Sequence, residues 1–325
     1  MSEFDHESVL TAEVIAHLAP RDNGVYVDGT LGGAGHATAI LTEALQSTLV
    51  GIDRDPDALA AARERLLPFG ARVHLVHGQY GDMAAILREL NIGPVNGILL
   101  DLGVSSPQLD RAERGFSFTR EGPLDMRMDP TRGETALELI RFTDVDDLGE
   151  LIVELGEERH GKKIARLIKE AVLANRIHTT TELAAVIAKG IPIIEQRKFK
   201  IHPATRTFQA LRIAVNAELV ELERLLDAFP ELLAPGGRCA IISFHSLEDR
   251  LVKNRFRDLG WTSSLPRHLA EQAGERVEPV CTLVTRKAIF ASDDEVARNP
   301  RSRSARLRVC ERTTASNVPA IRRST

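Results

Sequence analysis

Short apolar runs alternate with amphipathic stretches along the first third of the 325-residue chain. Runs of strand-forming residues bounded by turn residues predict four strands, at 25–28, 49–52, 72–76 and 97–100. Apolar residues at spacings of three and four predict the intervening helices, at 37–45, 57–67 and 83–90. Because strands and helices alternate, this pattern predicts a parallel sheet with helices on both faces.

The alternation stops after residue 100. No clear period is visible from 110 to 130, and the pattern from 135 to 194 is helical throughout. We therefore predict an inserted all-helical domain at 113–205. It would divide an α/β core into a first part, 1–112, and a second part, 206–325.

The α/β pattern returns near Pro203. Apolar residues at spacings of three and four between Phe208 and Phe229 predict one long helix. The next apolar runs predict a fifth strand and two candidate last strands, at 239–242, 281–285 and 305–310.

A glycine-rich loop follows the first predicted strand. Gly29, Gly33 and Gly35 let the backbone approach a ligand, and the helix that follows offers free N–H groups at its start. The dinucleotide pattern G-x-G-x-x-G is not matched, because Thr38 stands where the third glycine belongs. This makes a nicotinamide oxidoreductase unlikely and favours a ligand without pyrophosphate, such as S-adenosylmethionine.

Polar residues at the ends of the next three predicted strands extend this interpretation. Asp53 lies eighteen residues after Gly35, where a carboxylate accepts hydrogen bonds from ribose hydroxyls. The alternative is a helix cap, which we assign to Asp55 because Pro56 then begins the helix. Tyr80 would stack on an adenine ring or belong to the core. Asp101 ends the fourth strand, at the edge where open α/β sheets bind ligands.

The segment Asp101-Leu-Gly-Val-Ser-Ser-Pro-Gln108 stands where amino-methyltransferases place a short catalytic segment. Acceptors that hold the N–H groups of an exocyclic amine leave its lone pair free for in-line methyl transfer, so positioning would supply most of the catalysis. We predict Ser105, Ser106 and Pro107 as the catalytic residues. Candidates for a ring that stacks on the base are Phe116, Phe118 and Phe244.

Cysteine usage argues against two other kinds of chemistry. Methylation at carbon five of cytosine needs a cysteine nucleophile, and none lies near the end of the fourth strand. Cys239, Cys281 and Cys310 are far apart, so a disulfide framework or a zinc site is not expected. His245, Glu248 and Asp249 suggest a metal site, but a helix cap explains them more simply, and we expect no metal.

Composition and charge complete the picture. Hydrophobic residues make up 43% of the chain and charged residues 27%, with a net charge of −4. No secretory signal or membrane span is expected, and we predict a cytoplasmic protein. Two basic stretches stand out against the net charge: eight arginines lie between 298 and 325, and Arg197, Lys198, Lys200, Arg206 and Arg212 form the other. Each is either a solvated surface or a contact with nucleic acid.

With these residues considered together, the chain resembles the bacterial 16S ribosomal RNA (cytosine-N4)-methyltransferases, the MraW family. The first matching segments are Asp28-Gly-Thr-Leu-Gly-Gly-Ala-Gly-His36, Gly51-Ile-Asp-Arg-Asp-Pro56 and Ile98-Leu-Leu-Asp-Leu-Gly-Val-Ser-Ser-Pro-Gln-Leu-Asp110. Further segments are Glu113-Arg-Gly-Phe-Ser-Phe118, Gly122-Pro-Leu-Asp-Met-Arg-Met-Asp-Pro130, Gly156-Glu-Glu-Arg-His-Gly-Lys162, the run from His202 to Arg212, the run from Ile241 to Arg250, and Asn299-Pro-Arg-Ser-Arg-Ser304. They span residues 25–312 in order, and several are long and specific.

The resemblance implies a class I S-adenosylmethionine-dependent methyltransferase with a Rossmann-like, mostly parallel seven-stranded sheet and an inserted helical domain that holds RNA. It implies methylation of the N4 amine of a flipped-out cytidine in the decoding centre of 16S rRNA. The implied methyl-donor contacts are Ala34, Gly35, His36, Asp53, Tyr80, Asp101 and Gln108. The expected substrate contacts are Phe116, Arg206, Arg301 and Arg303.

Two departures from the family pattern are mild: Ala34 stands where glycine is usual, and Tyr80 stands where phenylalanine is frequent. The expected partner is 16S rRNA in the small ribosomal subunit, with a homodimer as one option for assembly. Two other hypotheses stay open at this point. One is a DNA amino-methyltransferase, and the other is a non-catalytic RNA-binding or assembly factor.

Overall fold

The computed structural model describes residues 8–198, 201–261, 265, 269, 272–273 and 278–315. Contacts between Cα atoms divide the chain into two compact units. The first comprises 1–103 and 220–325, and the second comprises 104–219. The helical domain predicted at 113–205 falls inside the second unit.

The first unit contains an α/β sheet. Its strands are β1 Val25–Asp28, β2 Thr48–Asp53, β3 Val73–His77, β4 Val95–Asp101, β5 Leu233–Ser243, β6 Cys281–Leu283, β7 Ile289–Phe290 and β8 Arg306–Arg312. The order is β3-β2-β1-β4-β5-β8-β6, and β7 also pairs with β8. The pairs among β1 to β5 are parallel, whereas β8 runs antiparallel to β5, β6 and β7. Eight strands thus fill the seven positions that were predicted, because β6 and β7 follow one another along β8.

Helices and apolar residues cover both faces of this sheet. The helices of the unit are α1 Thr11–Leu18, α2 Gly35–Glu43, α3 Pro56–Leu66, α4 Met83–Glu89, α12 Glu218–Leu232, which begins two residues before the boundary, α13 Ser246–Leu259 and α14 Asp293–Arg298. Successive residues of one strand join different apolar clusters: Tyr26 belongs to one and Val27 to the other. Since strand side chains alternate between faces, the sheet is buried on both sides.

Local sequence determines where two of these helices begin. The Asp55 side chain accepts a hydrogen bond from the backbone N–H of Asp57 at 3.1 Å, which confirms the predicted cap of α3. At the start of α13, Glu248 Oε2 accepts from the backbone N–H groups of Phe244 and His245, at 2.9 Å and 3.3 Å. The cap explanation of His245 and Glu248 is therefore confirmed.

The second unit is helical. Its helices are α5 Ser106–Asp110, α6 Ala136–Phe142, α7 Val145–Gly156, α8 Gly161–Leu173, α9 Thr180–Gly190, α10 Ile193–Gln196 and α11 Thr205–Val215. All of them except α10 contribute residues to one apolar cluster, in which Ile152, Ile164 and Leu211 are fully buried.

The prediction of one long helix between Phe208 and Phe229 is wrong. The structure has two helices there, separated at Asn216 and Ala217, and Ala217 has a left-handed φ of 50°. The Asn216 side chain explains the break. Its amide nitrogen donates to the carbonyl oxygen of Met126 at 2.8 Å, and its oxygen accepts from the backbone N–H of Met128 at 2.7 Å.

In the part of the chain that the structure describes, no helix combines the length and the apolar character needed to cross a membrane.

Candidate functional site

The glycine-rich loop is tied to the ends of its neighbouring strands. The backbone N–H of Gly29 donates to Leu99 in β4 at 2.9 Å, and that of Leu31 donates to Ile52 in β2 at 3.1 Å. Gly32 has a φ of +51°, and its N–H donates to Asp53 Oδ2 at 2.7 Å. The loop therefore lies at the carboxyl ends of the central strands, where open α/β sheets bind ligands.

Ala34 and Gly35 form the start of α2. Ala34 is fully buried and has a left-handed φ of 60°, which explains why glycine would be usual there. A Cβ atom added to Gly35 would lie 1.9 Å from the Ser8 hydroxyl oxygen, so any side chain there would require Ser8 to move.

His36 is held as a neutral ring. Its Nε2 lies 2.9 Å from the carbonyl oxygen of Val9, and because a carbonyl only accepts, Nε2 carries the hydrogen. The other nitrogen, Nδ1, lies 3.8 Å from Asp101 Oδ2. Burial lowers the pKa of His36 to about 4, so the ring is uncharged at neutral pH.

Asp53 ends β2 and holds the loop around it. Its Oδ1 accepts from the backbone N–H of Asp55 at 2.8 Å, in addition to the bond from Gly32. A carboxylate offers about four acceptor positions, so two remain for hydroxyl donors. Burial, the largest effect, raises the pKa of Asp53 to about 6.

Asp101, at the end of β4, carries an acceptor without a partner. Its Oδ1 is buried and makes no hydrogen bond to any residue that the structure describes. Its backbone N–H donates to the Thr30 hydroxyl oxygen at 2.6 Å. Burial, followed by the charges of Asp28 and Glu248, raises the pKa of Asp101 well above its ordinary value.

Asp28 adds a third carboxyl group at the end of β1. It is 1% exposed and accepts from the backbone N–H of Thr30 at 3.1 Å. Burial is the main cause that raises its pKa to about 7, and the charge of Asp53 adds to it. Such a group of carboxyls is stabilised by a cation, because a positive charge favours their ionised forms.

These observations fit S-adenosylmethionine, which carries a sulfonium and an ammonium group. Asp53 has acceptor positions left for ribose hydroxyls, and Asp101 Oδ1 is an unused acceptor for an ammonium group. The free N–H groups at the start of α2 suit a carboxylate.

Tyr80 lies in a 3-10 turn, Tyr80–Asp82, and is 9% exposed within one apolar cluster of the sheet. The turn is held by Glu221 of α12, which is 4% exposed. The Gln79 amide, with its nitrogen toward Glu221, donates at 3.0 Å to Oε1 and at 3.2 Å to Oε2. Arg224 pairs with Glu221 at 3.0 Å and also with Asp82.

The predicted catalytic residues begin the second unit. Ser105 caps α5: its hydroxyl accepts from the backbone N–H of Gln108 at 3.4 Å, and the Gln108 side-chain oxygen accepts from the Ser105 N–H at 3.0 Å. The Ser105 carbonyl oxygen also accepts from the Leu109 N–H at 3.2 Å. Ser105 and Gln108 are thus engaged with each other and with the helix.

Two hydrogen-bond acceptors in this segment are not engaged in the helix cap. Among the described residues, neither the Ser106 hydroxyl nor the Val104 carbonyl oxygen takes part in a hydrogen bond. Ser106 is partly exposed and Pro107 is buried. The Ser106 hydroxyl and the Val104 carbonyl oxygen are therefore the candidate amine acceptors with no hydrogen bond of their own among the described residues.

The aromatic candidates have partners in their own units. Phe116 is 7% exposed in the apolar cluster of the helical unit, which favours a packing role. Phe118 stacks on His202, with ring centroids 4.7 Å apart and an interplanar angle of 27°. Phe244 packs against an apolar cluster of the sheet, and Gly103 faces its ring.

The basic residues differ in what they contact. Arg206 donates to the carbonyl oxygen of Glu157 at 3.2 Å and lies 3.9 Å from the buried Glu158 carboxylate. Arg212 is paired with Glu218 at 2.8 Å and 2.9 Å, which favours a structural role. Lys200 lies outside the described residues.

Arg301 and Arg303 lie in a 3-10 turn, Pro300–Ser304, which Asn299 caps by accepting from the Arg301 N–H at 3.3 Å. Arg303 is exposed and Arg301 is partly buried. The last two arginines of the basic tail, Arg322 and Arg323, lie outside the described residues.

Comparison with known proteins gives the family. The model of the MraW methylase family matches residues 3–313. The chain belongs to the MraW methylase family. The predicted Rossmann-like architecture, with a mostly parallel sheet between helices, is confirmed.

Similar proteins cover almost the whole chain. The chain is 51% identical over 313 residues to the ribosomal RNA small subunit methyltransferase H of Citrifermentans bemidjiense, which covers 96% of this chain and 100% of that protein. The protein of the same name from Nitratidesulfovibrio vulgaris is 48% identical over 308 residues, with 94% and 95% covered. An rRNA methylase from Streptococcus thermophilus, a solved structure, has a TM-score of 0.37 and 12% identity over 94% of this chain and 93% of that one.

Several residues around the donor-type loop were not predicted from the sequence. Thr30 links Asp28 to Asp101, and Glu248 raises the pKa of Asp101 by its charge. Glu221 and Arg224 hold the turn that carries Tyr80. Thr30 could have been found from its place in the loop, whereas the others are distant in sequence from their partners.

Proposed function

We propose that this protein transfers a methyl group from S-adenosylmethionine to the exocyclic N4 amine of a cytidine in the decoding centre of 16S rRNA. Membership of the MraW methylase family and the names of the relatives support methylation of small-subunit rRNA. The observation that carries the donor assignment is the group of carboxyls at the carboxyl ends of β1, β2 and β4, in which Asp101 Oδ1 is a buried, unused acceptor.

The residues of this chain have separate tasks in the proposal. Asp53 binds the ribose, Asp101 binds the ammonium group, and the N–H groups that begin α2 face the carboxylate. Tyr80 contacts the adenine, and Ala34, Gly35, His36 and Gln108 complete the donor contacts. The donor supplies an activated methyl group on a sulfonium, and the chain contributes by positioning.

At the acceptor, the Ser106 hydroxyl and the Val104 carbonyl oxygen hold the amine N–H groups, so that the nitrogen lone pair faces the methyl group. Pro107 fixes the backbone that follows. A base in a folded RNA must leave its stack to be reached, which adds an unstacking cost to the reaction. Arg206, Arg301 and Arg303 are proposed to contact the RNA. Phe116, also predicted as a substrate contact, packs in the apolar cluster of the helical unit.

The test is methylation of a defined substrate. The protein and labelled S-adenosylmethionine are incubated with small ribosomal subunits from cells that lack the enzyme, and the nucleosides are separated by mass spectrometry. We expect label in N4-methylcytidine, no label in subunits that already carry the methyl group, and none in duplex DNA. Label absent from cytidine, with donor binding intact, contradicts the proposal. Label in the DNA supports a DNA amino-methyltransferase instead.

An Asp101→Asn variant serves as the negative control for donor binding and methylation. It keeps the size of the side chain but removes the charge that would face the donor. Loss of donor binding and of methylation together is expected.

A further inference from the structure

Helix α8 has one packed face and one open face. Its buried residues are Gly161, Ile164, Ala165, Ile168 and Ala171. Away from them lie Lys162, Arg166 and Lys169, at spacings of four and three, so the three cations share one side of the helix. They cover about 10 Å of helix at 1.5 Å per residue.

The first two of these cations have no counter-ion. Among the residues that the structure describes, Lys162 and Arg166 make no ion pair within 4.0 Å and no side-chain hydrogen bond. The exposed carboxylates on the two helices are Glu170 on α8 and Asp146, Asp147, Glu150 and Glu154 on α7, the helix packed against it. Among the described residues, none of them forms an ion pair with α8, so the positive side chains are available to another molecule.

An exposed aromatic ring lies at the end of this row of cations. Lys169 Nζ donates to the carbonyl oxygen of Arg141 at 3.0 Å, which places the end of α6 beside the row. The next residue, Phe142, is 80% exposed, and Leu173 at the end of α8 is 87% exposed. These two are the most exposed large apolar side chains among the described residues.

We propose that Lys162, Arg166, Lys169 and Phe142 form a surface that binds a single-stranded segment of RNA, apart from the nucleotide that is methylated. This inference rests on the proposed function for the identity of the RNA. The cations are spaced to follow successive phosphates, and the open ring of Phe142 stacks on a base. A cationic track with an aromatic platform is the arrangement that binds single-stranded nucleic acid without reading its sequence.

The binding test uses charge reversal on the open face. The Lys162→Glu/Arg166→Glu variant and the wild type are titrated with an unstructured 20-nucleotide RNA and with unmethylated small subunits, at several KCl concentrations. We expect the Kd for both probes to rise at least about tenfold, and the slope of log K against log salt to fall by about 0.7 for each phosphate that is no longer neutralised. Lys163→Glu, an exposed lysine about 100° around the same helix, is the matched control and should change the Kd far less.

A second pair of variants tests whether the Phe142 ring stacks on a base. Phe142→Ala should weaken RNA binding about fivefold with little change in the salt slope, because stacking does not release counter-ions. Phe142→Tyr should bind as the wild type does. Donor affinity, measured by calorimetry, and the midpoint of unfolding should be unchanged in all variants, which together show that both units are folded.

Three results would contradict the proposal that this surface binds RNA. They are unchanged RNA binding by the double variant, an equal loss with Lys163→Glu, and a loss with subunits but not with the bare RNA, which indicates a protein partner instead. If the proposed methylation of cytidine is wrong, the experiments give a different result. In that case the wild type places no methyl group on cytidine, yet the double variant still loses its affinity for the bare RNA.

Discussion

Thr30 links the carboxyl ends of two neighbouring strands. Its hydroxyl oxygen accepts from the backbone N–H of Asp101 in β4 at 2.6 Å, while its own N–H donates to Asp28 in β1 at 3.1 Å. Replacement by valine keeps the shape but removes the hydroxyl, which leaves the Asp101 N–H without its partner. We expect Thr30→Val to weaken donor binding by about 1 kcal/mol or more, roughly fivefold, measured by calorimetry with S-adenosylmethionine.

Thr30→Ser is the control for this prediction because it keeps the hydroxyl and loses only a methyl group. It should bind the donor as the wild type does. Equal affinities for the valine and serine variants would show that the hydrogen bond does not position Asp101.

Asp53 predicts a pH dependence of donor binding. Burial raises its pKa to about 6 in the free protein, and a cationic donor with ribose hydroxyls favours the ionised carboxylate, so the bound protein has a lower pKa. Affinity for S-adenosylmethionine should therefore be weak at pH 5 and increase as the pH rises through 6, and Asp28, whose pKa is about 7, extends the increase to higher pH. The increase is at most about tenfold per pH unit for one group.

Two variants distinguish the contribution of Asp53 to the pH dependence from that of the neighbouring Asp55. Asp53→Asn should bind weakly and lose the part of the pH dependence near 6. Asp55→Asn keeps an oxygen for the cap of α3 and should keep the pH dependence, shifted slightly to lower pH because the charge of Asp55 contributes to the raised pKa of Asp53. A wild-type profile in Asp53→Asn would remove this carboxyl as the cause.

The order and type of the elements in the sheet were largely predictable, because burial on both faces leaves short apolar strands between periodic helices. Asp53 and Asp101 could be placed at the site for a related reason: each is the first polar residue after such a strand. Local capping was predictable as well, since Asp55 acts on an N–H two residues away.

The features that sequence reasoning missed depend on contacts between distant residues. The apolar spacing continues from Val215 to Leu219, so periodicity gave no sign of the break that Asn216 creates by bonding to Met126 and Met128. The cap of α5 by Ser105 was also not assigned, although this contact is local, and the predicted catalytic role of Ser105 stays a prediction.

We expect Glu221 to position the turn that carries Tyr80, which is proposed to contact the adenine of the donor. Its carboxylate holds Gln79 and Arg224 around the turn that carries Tyr80. Glu221→Ala would leave the partly buried Gln79 amide without this partner, so the turn should loosen and the Kd for S-adenosylmethionine rise roughly fivefold, about 1 kcal/mol. The value of kcat at saturating donor should stay near that of the wild type.

Glu221→Gln keeps an acceptor for Gln79 and should recover most of the affinity. A fall in kcat without a change in the donor Kd would contradict a role in positioning Tyr80. Binding of adenosine alone should follow the same order of variants, because only the adenine side is affected.

Ser105 and Ser106 are adjacent in the chain, but we expect replacement of Ser105 to lower stability and replacement of Ser106 to lower kcat. Ser105→Ala removes the cap of α5 and should lower the free energy of unfolding by about 1 kcal/mol, while Ser105→Thr keeps a hydroxyl cap and should be close to the wild type. Ser106 caps nothing, so Ser106→Ala should leave stability within about 0.5 kcal/mol. If its hydroxyl holds the amine of the cytidine, kcat should fall about tenfold. Chemical denaturation and single-turnover methylation of small subunits measure the two effects separately. A Ser106→Ala enzyme with normal kcat would leave the Val104 carbonyl oxygen as the acceptor in this segment.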